Sequence, residues 1–235
     1  MLQLAFATMP RSGSEFVIKL TRFVMGDNMP GEVVSLTPGR IIQKDGALLR
    51  DVKDGLATRP AADVFRDLSI RCVKLESPGI DTLAYDLASS FPQARWLGSV
   101  RTIEKIITSH FNIKKWGWSE ERILRSYVSD LAFYEHVAVA GRLFLVDIDK
   151  PEGFSLRSLL SFLGVDHPGQ RAPDFVEKWY VVNPLTQQRA KAGEDVTAPM
   201  EIPPGLETLR ERHPWVADIE RRYHALCEQC AAVER

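Results

Sequence analysis

The sequence predicts an α/β protein: a three-layer α/β/α sandwich around a central, mostly parallel sheet of about five strands. Three observations lead there. Short apolar runs alternate along the chain with longer stretches whose apolar residues recur at three- and four-residue spacing, the order expected of β-α units. The short runs are nearly continuous in apolar residues, as required when helices cover both faces of a parallel sheet. The 235 residues are 45% hydrophobic, enough for one full core, and this composition excludes disordered and fibrous classes.

Residues 2–8 read as the first strand, meeting a loop at Thr8-Met9-Pro10. A helix follows over 13–25, with Phe16, Val17, Leu20, Phe23 and Val24 on one face. Gly26, Pro30 and Gly31 end it, and 26–60 reads as an irregular insertion with a hairpin around Lys44-Asp45-Gly46. Long insertions of this kind in compact domains are often functional. The second strand is 69–75, followed by a short helix over 80–90 that stops before Pro92. The third is 94–100, followed by helices over 102–111 and 119–137. The fourth is 142–148, and its helix over 155–163 closes on Gly164 as a C-cap. Lys178–Val182 is the candidate fifth strand, and 206–234 forms one or two closing helices. The whole of 1–235 is read as a single domain.

Thirty Lys plus Arg balance 31 Asp plus Glu. That balance excludes a broad polyanion-binding face, so no nucleic-acid partner is expected. It does not exclude a discrete anion pocket. No apolar stretch approaches the ~18 residues of a membrane span. The N-terminus lacks the basic n-region of a secretory signal. Three Cys cannot form a complete set of disulfides. Cys227 and Cys230 form a C-x-x-C with no second ligand pair, so it reads as two plain helix residues and no metal site is expected. A reducing, cytoplasmic compartment follows from this usage.

Parallel sheets bind ligands at the carboxyl ends of their strands, here near 9–15, 76–79, 101 and 147–149. Pro10-Arg11-Ser12-Gly13-Ser14 lies between the first strand and its helix. Free N–H groups and the helix dipole at such a start favour an anion. Gly13 permits close backbone approach, Ser12 and Ser14 offer hydroxyls, and Arg11 offers a charged fork. A Walker A loop is absent. A capped helix start beside a surface Arg would look the same in sequence.

Thr8-Met9-Pro10-Arg11-Ser12-Gly13-Ser14 resembles the 5′-phosphosulfate loop, P-[KR]-[SA]-G-[ST], of sulfotransferases that use 3′-phosphoadenosine 5′-phosphosulfate (PAPS) and release adenosine 3′,5′-bisphosphate (PAP). Val100-Arg101 with Ser109 eight residues on is similar to that family's pair for the 3′-phosphate. Eight helical residues turn through about 80° beyond two full turns, so both side chains can serve one side. Leu143–Asp149 and the run Leu156 to Val165 resemble the family's late strand and its L-x-x-L-x-x-F-L-G-[VI] helix. The matches cover 4–23, 70–78, 94–112 and 142–166.

The resemblance implies a P-loop nucleotide-kinase-like fold, with 26–60 on the acceptor side, and transfer of a sulfuryl group to a hydroxyl or amine of a small molecule or glycan. Its K-x-H-x-P pattern corresponds to Lys74-Leu75-Glu76-Ser77-Pro78, placing Glu76 where the family has a His base. A carboxylate serves there if burial raises its pKa. An ordinary ion pair at the strand end is the other reading of Glu76. His110 is the runner-up base, although it lies about 100° around the helix from Ser109. The family's R-K-G-x-x-G loop is missing. Arg189 and Lys191 offer cations at a similar late position, or a solvated basic loop. Glu15 departs from the family, which has a second hydroxyl residue there. An anion in that turn repels phosphate unless it points away or pairs with an Arg, or else it meets the acceptor. Two other functions remain open: a nucleotide-dependent phosphotransferase with Asp147 and Asp149 holding Mg²⁺, and a noncatalytic nucleotide-binding module.

Overall fold

The computed structural model describes residues 1–10, 12–36, 47–80, 82–111, 117–149, 155–166 and 205–233. In chain order the elements are β1 (Leu4–Thr8), α1 (Ser14–Met25), β2 (Val33–Leu36), α2 (Ala47–Leu56), α3 (Ala61–Asp67), β3 (Cys72–Glu76) and α4 (Leu83–Ser90). Then come β4 (Arg95–Val100), α5 (Ile103–Phe111), α6 (Glu120–Ala138), β5 (Leu143–Asp147), α7 (Leu156–Leu163), α8 (Leu206–Arg212) and α9 (Val216–Val233). The strands form one five-stranded sheet in the order β2-β3-β1-β4-β5. Every pairing is parallel, so the sheet is wholly rather than mostly parallel.

Alternation along the strands sends side chains to two cores. Ala5 and Ala7 of β1, Val73 and Leu75 of β3 and Trp96 of β4 join a cluster with residues of α2–α6, α8 and α9, among them Phe65, Leu87, Ile107, Leu131 and Ile219. Leu4 and Phe6, Cys72, Leu97 and Phe144 pack with α1 and α7 through Phe16, Leu20, Leu159 and Leu163. These are the two outer layers of a three-layer α/β/α sandwich. Each fully buried Leu or Phe contributes about 2 kcal/mol. Tyr134 of α6 is fully buried and donates its hydroxyl to the carbonyls of Ala7 (2.7 Å) and Ser99 (3.1 Å), joining the ends of β1 and β4.

The expected strands around 2–8, 69–75, 94–100 and 142–148 are present, with ends shifted by a few residues. The segment 26–60 differs from its reading as irregular. It contributes an edge strand, β2, paired with β3 from Val33↔Cys72 to Leu36↔Leu75, and a helix, α2. The fifth strand of the sheet is thus Val33–Leu36. The candidate Lys178–Val182 and the hairpin at 44–46 lie outside the described residues. No helix among the described residues is long and apolar enough to cross a membrane.

Candidate functional site

The carboxyl ends of β1, β3, β4 and β5 bring four short segments to one edge of the sheet. After β1 the chain turns through Met9 and Ser12 and enters α1 at Gly13, whose backbone is left-handed (φ 85°, ψ 32°). Its carbonyl accepts the first helical hydrogen bonds, from the N–H groups of Phe16 (2.9 Å) and Val17 (3.3 Å). No side chain caps the helix. The N–H groups of Ser14 and Glu15, ahead of these bonds, therefore have no acceptor within the helix and carry the positive end of its dipole. Gly13 is also needed for space, because a Cβ there would lie 2.9 Å from Ile148 Cγ1, just after β5.

The Ser12 hydroxyl is engaged within the loop. Ser12 is fully buried, and both its N–H (3.2 Å) and its hydroxyl (2.7 Å) donate to the Met9 carbonyl. With that proton committed, the 2.7 Å contact between the Ser12 and Ser99 hydroxyls is a donation from Ser99. Ser12 therefore shapes the loop and ties it to β4. Ser14 is half-buried in the first turn of α1.

Two groups of cations flank this start. Lys74 of β3 is buried along its stem, and its ammonium lies 3.9 Å from the Glu15 carboxylate. Glu15 itself is 60% exposed, so its charge points outward, and the cation it faces is a Lys rather than an Arg. On the other side, Arg101 follows β4 and donates through Nε to Asp149 Oδ1 at 3.1 Å. Lys105 reaches the same oxygen at 3.0 Å. Asp149 Oδ2 accepts from the Thr102 N–H (2.8 Å) and hydroxyl (3.1 Å). Burial alone would push the Asp149 carboxyl up. The hydrogen bonds from Thr102, Lys105 and Arg101 outweigh it and hold the group below the usual Asp value. Asp147 accepts from the Asp149 N–H (3.0 Å) and from the Tyr223 hydroxyl (2.6 Å), and burial with that bond pushes the Tyr223 phenol well up. Tyr127 donates to the Arg101 carbonyl at 2.6 Å.

Glu76 ends β3 in register with Thr8 and is half-buried. The chain leaves it abruptly, since Ser77 is left-handed (φ 54°) and its N–H returns to the Thr8 carbonyl at 3.0 Å. A non-glycine residue in that region costs on the order of 1 kcal/mol, and such strain concentrates at functional sites. The Gly79 N–H then bonds Asp130 of α6 at 2.9 Å, anchoring the turn.

His110 is 7% exposed and stacks on Trp118 with ring centroids 5.2 Å apart. Arg122 lies 4.5 Å from the Trp118 ring. His110 and Trp118 line a small pocket with Met9, Pro10, Ser126 and Asp130. His110 is thus buried against Trp118 at the wall of this pocket. Ser109 is buried on α5.

The structure thus brings Gly13, Ser14, Lys74, Glu76 and Arg101 to one edge. Arg11, Arg189 and Lys191 lie outside the described residues. Among those described, no group of three or more His, Cys, Asp or Glu side chains is arranged to hold a metal ion. Sequence reasoning did not identify the carboxylate that holds Arg101, because Asp149 lies 48 residues away. No protein-family model matches the chain, and no curated protein sequence is significantly similar to it.

Proposed function

We propose that the protein is a sulfotransferase that moves a sulfuryl group from PAPS to a hydroxyl, or an amine, of a small-molecule or glycan acceptor. The observation that carries this reading is the uncapped start of α1 on a left-handed Gly13, with no room for a Cβ, at the carboxyl end of the central strand. Such a cradle fits a phosphosulfate, and Lys74 and Arg101 stand on either side of it. When bound, the donor supplies an activated sulfuryl group whose leaving group is a nucleotide 5′-phosphate.

Each residue then has a role. The α1 amides, the Ser14 hydroxyl and Arg11 hold the 5′-phosphate side and stabilise its developing charge. Arg101 and Ser109 take the 3′-phosphate, and Arg189 and Lys191 close over it from the late loop. Glu76 accepts the proton of the acceptor hydroxyl, with His110 as the alternative base. Segment 26–60 shapes the acceptor side. The fold is read as P-loop nucleotide-kinase-like, and the protein as a cytoplasmic enzyme with no nucleic-acid partner.

Thermal unfolding with added nucleotide tests this directly. Stabilisation by PAP without Mg²⁺ is the expected result, growing with ligand concentration as binding to the native state requires. Stabilisation only by ATP with Mg²⁺ would overturn it in favour of a phosphotransferase. The engagement of Asp147 with Tyr223, and of Asp149 with Arg101 and Lys105, argues against that alternative. Binding of PAP without turnover of any acceptor in a broad screen would leave a noncatalytic binding module.

A further inference from the structure

We infer that Lys105 is a second cation for the nucleotide 3′-phosphate and that Asp149 is the positioning residue that sets Arg101 and Lys105 together; this rests on the nucleotide reading above. Lys105 stands four residues after Arg101 and four before Ser109. Lys105 and Ser109, four apart on α5, are neighbours along that helix, and Arg101, just before the helix begins, meets Lys105 on one Asp149 oxygen, so Lys105 stands between the two residues already assigned to that phosphate.

The contacts have a consistent polarity. One Asp149 oxygen collects Arg101 Nε and Lys105 Nζ, and the other collects the Thr102 N–H and hydroxyl. Its side chain is 6% exposed, while those of Arg101 and Lys105 are 29% and 53% exposed. The carboxylate is therefore enclosed, and the cations face outward around it. Two positive charges against one negative leave the cluster at +1. Arg101 uses only Nε on Asp149. Its two terminal amino groups make no hydrogen bond with any described residue, and they are the pair that forms a bidentate fork on phosphate.

The cluster is also fixed relative to the α1 cradle. Ile148, adjacent to Asp149, fills the space against Gly13, and its N–H bonds the Val100 carbonyl at 3.0 Å, next to Arg101. An anion at the cradle and another at the cluster are thus held by one rigid corner of the sheet. A nucleotide carrying both a 5′- and a 3′-phosphate is the ligand chemistry that uses both.

Calorimetric titration of the full chain with PAP and with adenosine 5′-phosphate, each against wild type, Lys105→Met, Lys105→Arg and Asp149→Asn, tests the inference. Lys105→Met should weaken PAP about tenfold and leave adenosine 5′-phosphate unchanged, with Lys105→Arg restoring most of the loss. Asp149→Asn makes the site more positive. A mere charge effect would therefore tighten PAP, whereas loss of positioning weakens it. Unchanged PAP affinity in Lys105→Met would overturn the role of Lys105, and unchanged or tighter affinity in Asp149→Asn would overturn that of Asp149. Lys105 is exposed enough that its replacement does not threaten the fold, so that arm remains decisive if Asp149→Asn is unstable. A wild type that binds neither nucleotide would instead remove the nucleotide reading itself.

Discussion

Replacing Gly13 by Ala separates the geometry of the α1 cradle from its chemistry, because the added methyl carries no charge. Two costs follow from the structure. Ala at φ 85° sits in the left-handed region, which costs about 1 kcal/mol. Its Cβ would also lie 2.9 Å from Ile148 Cγ1 and 3.0 Å from Cδ1, so Ile148 or the loop must shift. Overpacking of this kind costs about 1–3 kcal/mol. The sum, about 2–4 kcal/mol, lowers Tm by roughly 5–15 °C for a domain of this size. Thermal unfolding of Gly13→Ala, Ile148→Ala and the double variant measures both parts. The clash should appear as a favourable coupling of about 1 kcal/mol or more in the double variant, while the left-handed penalty persists. A cost below about 0.5 kcal/mol for Gly13→Ala, or strict additivity of the pair, would refute the reasoning.

Glu76→Ala, and the gentler Glu76→Gln, should abolish acceptor turnover with PAP affinity retained; full activity in either variant would remove Glu76 as base. Asp149 has a folded pKa below its ordinary value of 3.8, so its stabilisation is complete above about pH 4 and is lost as pH falls through the folded value. The stability gap between wild type and Asp149→Asn should accordingly be flat from pH 8 to 5 and narrow in acid; a gap that widens below pH 4 would contradict the sign. Cys72 is fully buried and its thiol is pushed up to about 12, mainly by burial. Brief iodoacetamide treatment of the native protein at pH 8, read by peptide mass spectrometry, should label the partly exposed Cys227 and spare Cys72; equal labelling of the two would show that the β3 core is not closed.

The sequence signals were strongest where one element buries a continuous apolar face. Phe16, Val17, Leu20 and Val24 announce α1, and all are buried. Segment 26–60 shows why the rest was harder. Val33–Leu36 is a four-residue edge strand whose hydrogen bonds come from β3, so its stability is tertiary rather than local. Within α2, Gly55 lowers the helical signal by about 1 kcal/mol relative to Ala. It is there because a Cβ would meet Val64 Cγ1 of α3 at 2.8 Å. Helix propensity is traded for close approach, and that trade is invisible in one sequence. The site divides in the same way. Gly13 and Arg101 stood at strand ends and were legible as local pattern. The Asp149 grip on Arg101, the Ser99–Ser12 bond and the Lys74–Glu15 contact join separate segments, and only folding reveals them.

The strand order also has a consequence for synthesis. β1 lies at the centre of the sheet, yet its two partners are β3 and β4, the latter ending at Val100. A growing chain therefore carries Leu4–Thr8, with the fully buried Phe6, with no neighbour on one side until residue 100 has emerged. At translation rates of about 5–20 residues per second, that interval lasts roughly 5–20 s. Protease should cut β1 in nascent chains arrested after β3 and spare it once β4 is out, so the timing of β4, more than the strength of β1, governs how long the newborn chain is open to aggregation.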